Sequence, residues 1–205
     1  MLVLLDHIGV LVFAISGMLT AADRSLDVLG GYIIAFITAL GGGTLRDLLL
    51  NTDVAWMSSW LQVITVIVGG TIGIIFRSYL KKLRRTLFIF DTTGIAIFTI
   101  VGVQKALSFD QIALTAVFLG MISATFGGLI RDVLCNQIPL IFRKEIYAIP
   151  CLTGGSIYLL GDYLGYASHL WMLWVCILII ILFRTFAVVF SWELPLIREI
   201  SKWNS

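Results

Sequence analysis

Apolar residues run along this chain in long blocks rather than in the alternating or striped patterns of a water-soluble domain. Seven blocks can be marked, at about Leu2–Thr20, Val28–Leu50, Ser59–Tyr79, Leu87–Lys105, Gln111–Cys135, Glu145–Leu164 and Leu170–Trp192. Each is close to the ~20 residues a helix needs to cross a bilayer. The polar breaks between them are short, and none could serve as a linker between soluble domains. The pattern predicts one all-α, polytopic membrane domain over residues 1–205, built from seven transmembrane helices.

Composition agrees. Hydrophobic residues make up 60% of the 205, charged residues 13%, and the mean hydropathy is +1.03. A soluble domain carries about 25% charged residues, so this chain has roughly half the usual solvating charge. Met1–Gly17 has an apolar core like that of a signal peptide. It lacks a basic leader and a small-residue cleavage pattern, and it carries Asp6, so it is expected to stay as the first span. Cys135, Cys151 and Cys176 fall in or beside apolar blocks without metal-ligand spacing and read as structural thiols.

The placement of Lys and Arg predicts orientation. Arg77, Lys81, Lys82, Arg84 and Arg85 crowd the loop between the third and fourth blocks, which should therefore face the cytoplasm. Counting outward puts Arg24, Arg143, Lys144, Arg198 and Lys202 on the same side, and only Lys105 opposite them, with Asp53, Asp110 and Asp162. The N-terminus is then outside and the C-terminus inside. Trp56, Trp60, Trp171 and Trp192 stand where interfacial anchors would. The basic loop could also meet anionic lipid head groups.

The blocks repeat. Asp6, Gly9, Phe13 and Gly17 match Asp91, Gly94, Phe98 and Gly102 at a constant offset of 85. Gly42, Gly43, Arg46, Asp47 and Asn51 match Gly127, Gly128, Arg131, Asp132 and Asn136, and Gly69-Gly70 matches Gly154-Gly155, at the same offset. Repeat one covers about residues 2–80 and repeat two about 87–165, with an unpaired seventh helix at about 170–192. Three spans per copy is an odd number, so the second copy should enter the membrane from the opposite side, as inverted repeats do.

The chemistry concentrates in the second and fifth blocks, where Gly41-Gly42-Gly43 and Gly127-Gly128 each precede an Arg-Asp pair. Each glycine weakens a helix by about 1 kcal/mol relative to alanine, and adjacent glycines are a place for a kink. Two readings fit: a broken helix whose freed carbonyls face a pore, or close helix packing through small residues. Recurrence beside charges favours the break. A charge at membrane depth should face the bundle interior and have a partner. Neighbours on a helix point apart, so Arg46 is expected to pair with Asp6, and Arg131 with Asp91, across helices. Asp6, Asp47, Asp91 and Asp132 against Arg46 and Arg131 leave a net −2, which tilts the interior toward cations. Ser16, Thr38, Thr44, Thr93, Thr99, Ser123 and Thr125 could wet a pore or merely bond between helices. His7 could relay protons or simply bond to a neighbour, His169 reads as surface, and Arg184 is expected to snorkel to the cytoplasm. No nucleophile–base arrangement, metal motif or phosphate loop is present in the sequence, so neither an enzyme nor a nucleic-acid binder is expected.

The duplicated three-span unit, with GGGTLRD in the second span and FGGLIRD in the fifth, resembles the trimeric intracellular cation (TRIC) channels. It is most similar to their prokaryotic members, whose repeat unit is also labelled a glycine-transporter-like domain. The resemblance covers about Leu2 to Trp192. It implies a homotrimer with one pore per protomer, lined by the first, second, fourth and fifth spans and kinked at Gly41, Gly42, Gly43, Gly127 and Gly128. It also implies conduction of monovalent cations, mainly potassium, with no other cofactor, and a bacterial plasma-membrane location. Phe126 stands where the first motif has Gly41, which implies a less bent or more occluded second half. The basic voltage-sensing residue that animal members carry in the fourth span has no clear counterpart. The alternative is a secondary transporter of a small solute such as glycine, which inverted repeats and broken helices permit equally well.

Overall fold

The computed structural model describes residues 1–77, 83–166 and 169–195, with the side chains of 83–85 left aside. Lys81, Lys82, Arg198 and Lys202 lie outside the described residues, as do the side chains of Arg84 and Arg85, while Arg77 is exposed. The described chain is helical throughout: α1 (Leu2–Asp23), α2 (Val28–Leu49), α3 (Ala55–Ser58), α4 (Trp60–Arg77), α5 (Leu83–Ser108), α6 (Ala113–Leu134), α7 (Ile149–Tyr163) and α8 (Leu170–Val189). A 3₁₀ turn covers Leu140–Phe142. Six of these helices are long and apolar enough to cross a membrane.

The sixth apolar block, expected at Glu145–Leu164, forms a shorter helix. α7 has 15 residues, about 22 Å of rise, against a hydrocarbon thickness of about 30 Å. Glu145 is taken instead by a bridge to Glu193, Leu194 N–H bonds the Lys144 carbonyl at 2.8 Å, and Tyr147 turns into the core. Pro150, at the start of α7, lies in the first turn, where its missing N–H leaves no bond unmade.

The offset of 85 extends to the backbone. α2 begins at residue 28 and ends at 49, and α6 begins at 113 and ends at 134. α3 begins at 55 and the 3₁₀ turn at 140. Both α2 and α6 stop on an asparagine in the left-handed region, Asn51 at φ 53° and Asn136 at φ 53°. The residue after each asparagine returns to the last turn of its helix: Thr52 N–H to the Asp47 carbonyl at 3.0 Å, and Gln137 N–H to the Asp132 carbonyl at 2.8 Å. This closes the orphan carbonyls of a helix end, and asparagine tolerates the left-handed φ it requires. Each closure points an Arg-Asp pair into the bundle at the last turn of its helix.

One apolar cluster extends from α5 and α6 to α7 and α8, and another lies mainly among α1, α2, α5 and α6. Phe13 and Phe98 stack there with ring centroids 5.2 Å apart. The three cysteines are free and buried. Trp60, Trp171 and Trp192 are exposed, whereas Trp56 is half-buried and tied to α2, its indole N–H donating to the Thr44 hydroxyl at 3.0 Å.

Candidate functional site

Two charge clusters occupy opposite ends of the core. The first gathers at the end of α2. Arg46 grips its own neighbour: Nε donates to Asp47 Oδ1 at 2.8 Å and Nη2 lies 2.7 Å from the same oxygen. This corrects the expectation that sequence neighbours could not pair. The arginine side chain is long enough to fold over to its neighbour, and two arms of the guanidinium then share one carboxylate oxygen. Asp47 has capacity to spare. Its Oδ1 also takes Lys105 Nζ at 2.8 Å, and its Oδ2 accepts the Ala55 N–H at 3.2 Å, which fixes the turn into α3. The expected Arg46–Asp6 pair does not form. Asp6 accepts instead from the Gln62 amide, and Arg46 Nη1 reaches Ser123 Oγ on α6 at 3.4 Å.

The second cluster forms at the end of α6. Arg131 Nε donates to Asp132 Oδ1 at 2.9 Å, and Asp132 Oδ2 accepts the Leu140 N–H at 3.2 Å, repeating the Asp47 arrangement at the offset of 85. The cross-helix pair expected here is present: Arg131 Nη1 lies 3.2 Å from Asp91 Oδ1, and it also donates to Ser16 Oγ at 2.8 Å. Arg184 completes the cluster. It does not snorkel; at 2% exposure it is buried, with Nη2 3.1 Å from Asp91 Oδ2 and Nε donating to Thr92 Oγ at 2.9 Å. Its guanidinium carbon sits 4.2 Å from the Tyr147 ring centre and 5.5 Å from that of Phe88, so aromatic faces and a carboxylate together replace the water it would otherwise seek. Asp91 and Lys105 are 14 residues apart on α5, about 21 Å of helix rise, which separates the clusters by most of a membrane thickness.

These partners change the charge balance. Lys105 and Arg184 join Arg46 and Arg131, so four cations meet Asp6, Asp47, Asp91 and Asp132, and the net −2 expected from the motifs alone becomes zero. Lys105 had signalled itself as the lone cation among acids on its side. An arginine inside an apolar run was the signal for Arg184, and Gln62 was a polar residue opening the third block. Tyr147 had no signal.

The glycines do not break their helices. Helical hydrogen bonding passes through Gly41–Gly43 and Gly127–Gly128 without a gap. Two of them make a close contact between helices. A Cβ placed on Gly42 would stand 2.1 Å from the Ser123 carbonyl oxygen, and one on Gly127 would stand 2.2 Å from that of Thr38. α2 and α6 therefore cross backbone to backbone, each bringing its glycine to the other, as small residues allow between membrane helices. Gly41 faces Gly127 in the same crossing, with 3.9 Å from its would-be Cβ to the Gly127 Cα. Gly43 and Gly128 turn toward the arginines.

The polar positions divide. Ser16 and Ser123 hold the two arginines, while Thr38, Thr44, Thr93, Thr99 and Thr125 each return their hydroxyl to the carbonyl four residues back. His7 Nδ1 lies 2.7 Å from the Val3 carbonyl. Beside the second cluster opens a cavity of about 1030 Å³, whose walls include Asp91, Arg131, Asp132 and Arg184 with Asp23, Arg143 and Glu145. Beside the first, the space enclosed by Asp6, Arg46, Asp47, Gln62 and Phe98 is only about 10 Å³, no more than a single water requires.

Comparison with known proteins follows the same repeat. A family model described as Glycine transporter matches twice, at residues 3–78 and 88–163. The UPF0126 membrane protein of Vibrio cholerae is 38% identical over 82% of this chain and 71% of its own length. YvgT of Bacillus subtilis, another UPF0126 membrane protein, is 32% identical over 94% of each chain. Among solved structures, the TRIC trimeric intracellular cation channel orthologue from Rhodobacter sphaeroides superposes with a TM-score of 0.88 at 30% identity, covering 93% of this chain and 98% of that one. A prokaryotic TRIC channel crystallised in 0.5 M KCl gives a TM-score of 0.85 at 29% identity, over 94% of this chain and 98% of its own. The solved relatives are channels, not enzymes.

Proposed function

We propose that this chain, which belongs to the Glycine transporter family and has the TRIC channel fold, is a passive channel for monovalent cations, potassium above all. The carrying observation is the pair of repeat-related charge clusters at opposite ends of one four-helix core. The path runs through each protomer between α1, α2, α5 and α6, from the Asp6–Arg46 end to the Asp91–Arg131 end. The two three-helix repeats are inverted, α7 counts as the sixth span with its short helix completed by the loop before it, and α8 is the seventh. Three protomers assemble in the bilayer of a bacterial inner membrane. The Arg46 cluster faces outward and the Arg131 cluster, with its cavity, faces the cytoplasm. Anionic lipid meets the basic loop around Arg77.

With the clusters neutral in sum, cation preference comes from how the carboxylates are presented. Asp23 and Glu145 join Asp91 and Asp132 on the wall of the large cavity, four carboxylates against Arg131, Arg143 and Arg184. In liposomes holding the purified protein, potassium flux is expected for the wild type and is expected to change in Arg46→Ala and Arg131→Ala. Saturable glycine uptake without unitary currents would overturn the channel reading in favour of a carrier.

A further inference from the structure

We infer that Arg184 sets how strongly the large cavity attracts cations: it is a fixed positive charge, supplied by α8, that holds potassium conductance below what the carboxylates of the cavity would otherwise give. The inference deepens the channel reading above and rests on it. At the offset of 85, Asp91 has Asp6 as its counterpart, yet the two carboxylates are held differently. Asp6 accepts from the neutral amide of Gln62, whereas Asp91 meets two guanidiniums, Arg131 at 3.2 Å on one oxygen and Arg184 at 3.1 Å on the other. Arg131 belongs to the repeated Arg-Asp motif. Arg184 comes from α8, beyond both copies of the repeat.

The position of this charge is fixed. Nε donates to Thr92 Oγ at 2.9 Å, and the rings of Tyr147 and Phe88 lie 4.2 Å and 5.5 Å from the guanidinium carbon. Bonds and rings together keep Arg184 on the cavity wall, where Thr185 and Val188 of the same helix also stand. Among the described residues that line the cavity, four carboxylates face three guanidiniums, so Arg184 is the difference between one net negative charge and two. Low-dielectric walls focus the field of such charges on the space between them and set the local concentration of counter-ions. A potassium ion in the cavity is repelled by Arg184 and drawn by the carboxylates. Screening separates this long-range effect from a local distortion, because the Debye length falls from about 10 Å at 0.1 M salt to about 3 Å at 1 M.

The test is single-channel potassium conductance of the full chain in planar bilayers, at about 0.1 M and about 1 M KCl, for the wild type, Arg184→Gln and Thr185→Lys. Thr185 lines the same cavity one residue further on. Thr185→Lys therefore adds a positive charge to that wall while leaving the Arg184 contacts in place, and it decides the question if Arg184→Gln does not fold. Phe186→Ala, on the exposed face of α8, serves as control. At the lower salt Arg184→Gln is expected to raise conductance about twofold and Thr185→Lys to lower it about twofold, the effect of one unit charge about 10 Å away through water. At the higher salt both are expected to approach the wild type, with Phe186→Ala unchanged throughout. Wild-type conductance at low salt in Thr185→Lys, or in folded Arg184→Gln, would overturn the inference. So would a change equally large at both salts, which marks a distorted wall rather than a missing charge. An absence of potassium conductance from the wild type and all variants, with the proteins folded by size-exclusion and circular dichroism, would instead reject the channel reading itself.

Discussion

Asp47 and Asp132 do two jobs with one side chain, and that explains why each follows its arginine directly. One carboxylate oxygen holds the arginine and the other accepts a backbone N–H eight residues on, from Ala55 or Leu140. The charge pair is thereby welded to the turn that ends its helix. The second cations differ between the two ends. Lys105 keeps 26% of its side chain exposed, whereas Arg184 keeps 2%. A buried pair that loses one partner leaves an uncompensated charge, at about 3–5 kcal/mol, while a cation that keeps part of its hydration contributes less, toward the about 1 kcal/mol or less of exposed pairs, and Asp47 keeps Arg46 when Lys105 is lost. Arg184→Ala is therefore expected to destabilise the protein by about 3 kcal/mol and Lys105→Ala by under about 1 kcal/mol, measured by SDS-induced unfolding. Equal losses would show that the two clusters are held alike.

At the scale of helices, the glycine motifs divide by face. A Cβ added to Gly42 or Gly127 would stand only 2.1 or 2.2 Å from a carbonyl oxygen, far inside van der Waals contact, and neither backbone can retreat without separating α2 from α6. Gly43 meets only Arg46 Nη2, at 3.7 Å. Gly42→Ala and Gly127→Ala should each destabilise strongly and lower flux. Gly43→Ala should be neutral or stabilise by up to about 1 kcal/mol, the helix propensity gained. A hinge would give the opposite order, since every glycine in it would matter to gating whatever its face, so melting curves and flux measured on the three variants decide between hinge and contact. Sequence could locate these glycines but not assign their use, because a weak helix and a close crossing ask for the same residue. The same ambiguity hid the Arg46–Asp47 pair: helical spacing gives the direction of Cβ, and a side chain with four rotatable bonds does not keep to it.

Across the whole molecule, local repetition was legible and closure was not. The offset of 85 picked out the matching Asn51 and Asn136 and the repeated Arg-Asp motifs, but not the left-handed turn of the asparagines or the pairing of each arginine with its own neighbour. What completes the clusters comes from far along the chain: Lys105 lies 58 residues from Asp47 and Arg184 lies 93 from Asp91. Arg184 rides on the helix that has no repeat partner, so symmetry could not foretell it. That helix also makes the two ends unequal, with a large cavity and a buried arginine at one and a tight pocket with a partly exposed lysine at the other. Orientation then decides which end meets which compartment. Arg24, Arg77, Arg143 and Lys144 lie at or beyond the ends of α1, α4 and α6, the end that carries the cavity, and on the positive-inside rule we propose that this end faces the cytoplasm. The native cysteines are at most 4% exposed and should stay silent to a membrane-impermeant maleimide, so introduced thiols can report cleanly. Asp53→Cys is expected to label in intact spheroplasts, and Leu26→Cys only after permeabilisation. The reverse pattern would turn the molecule over and place the large cavity outside.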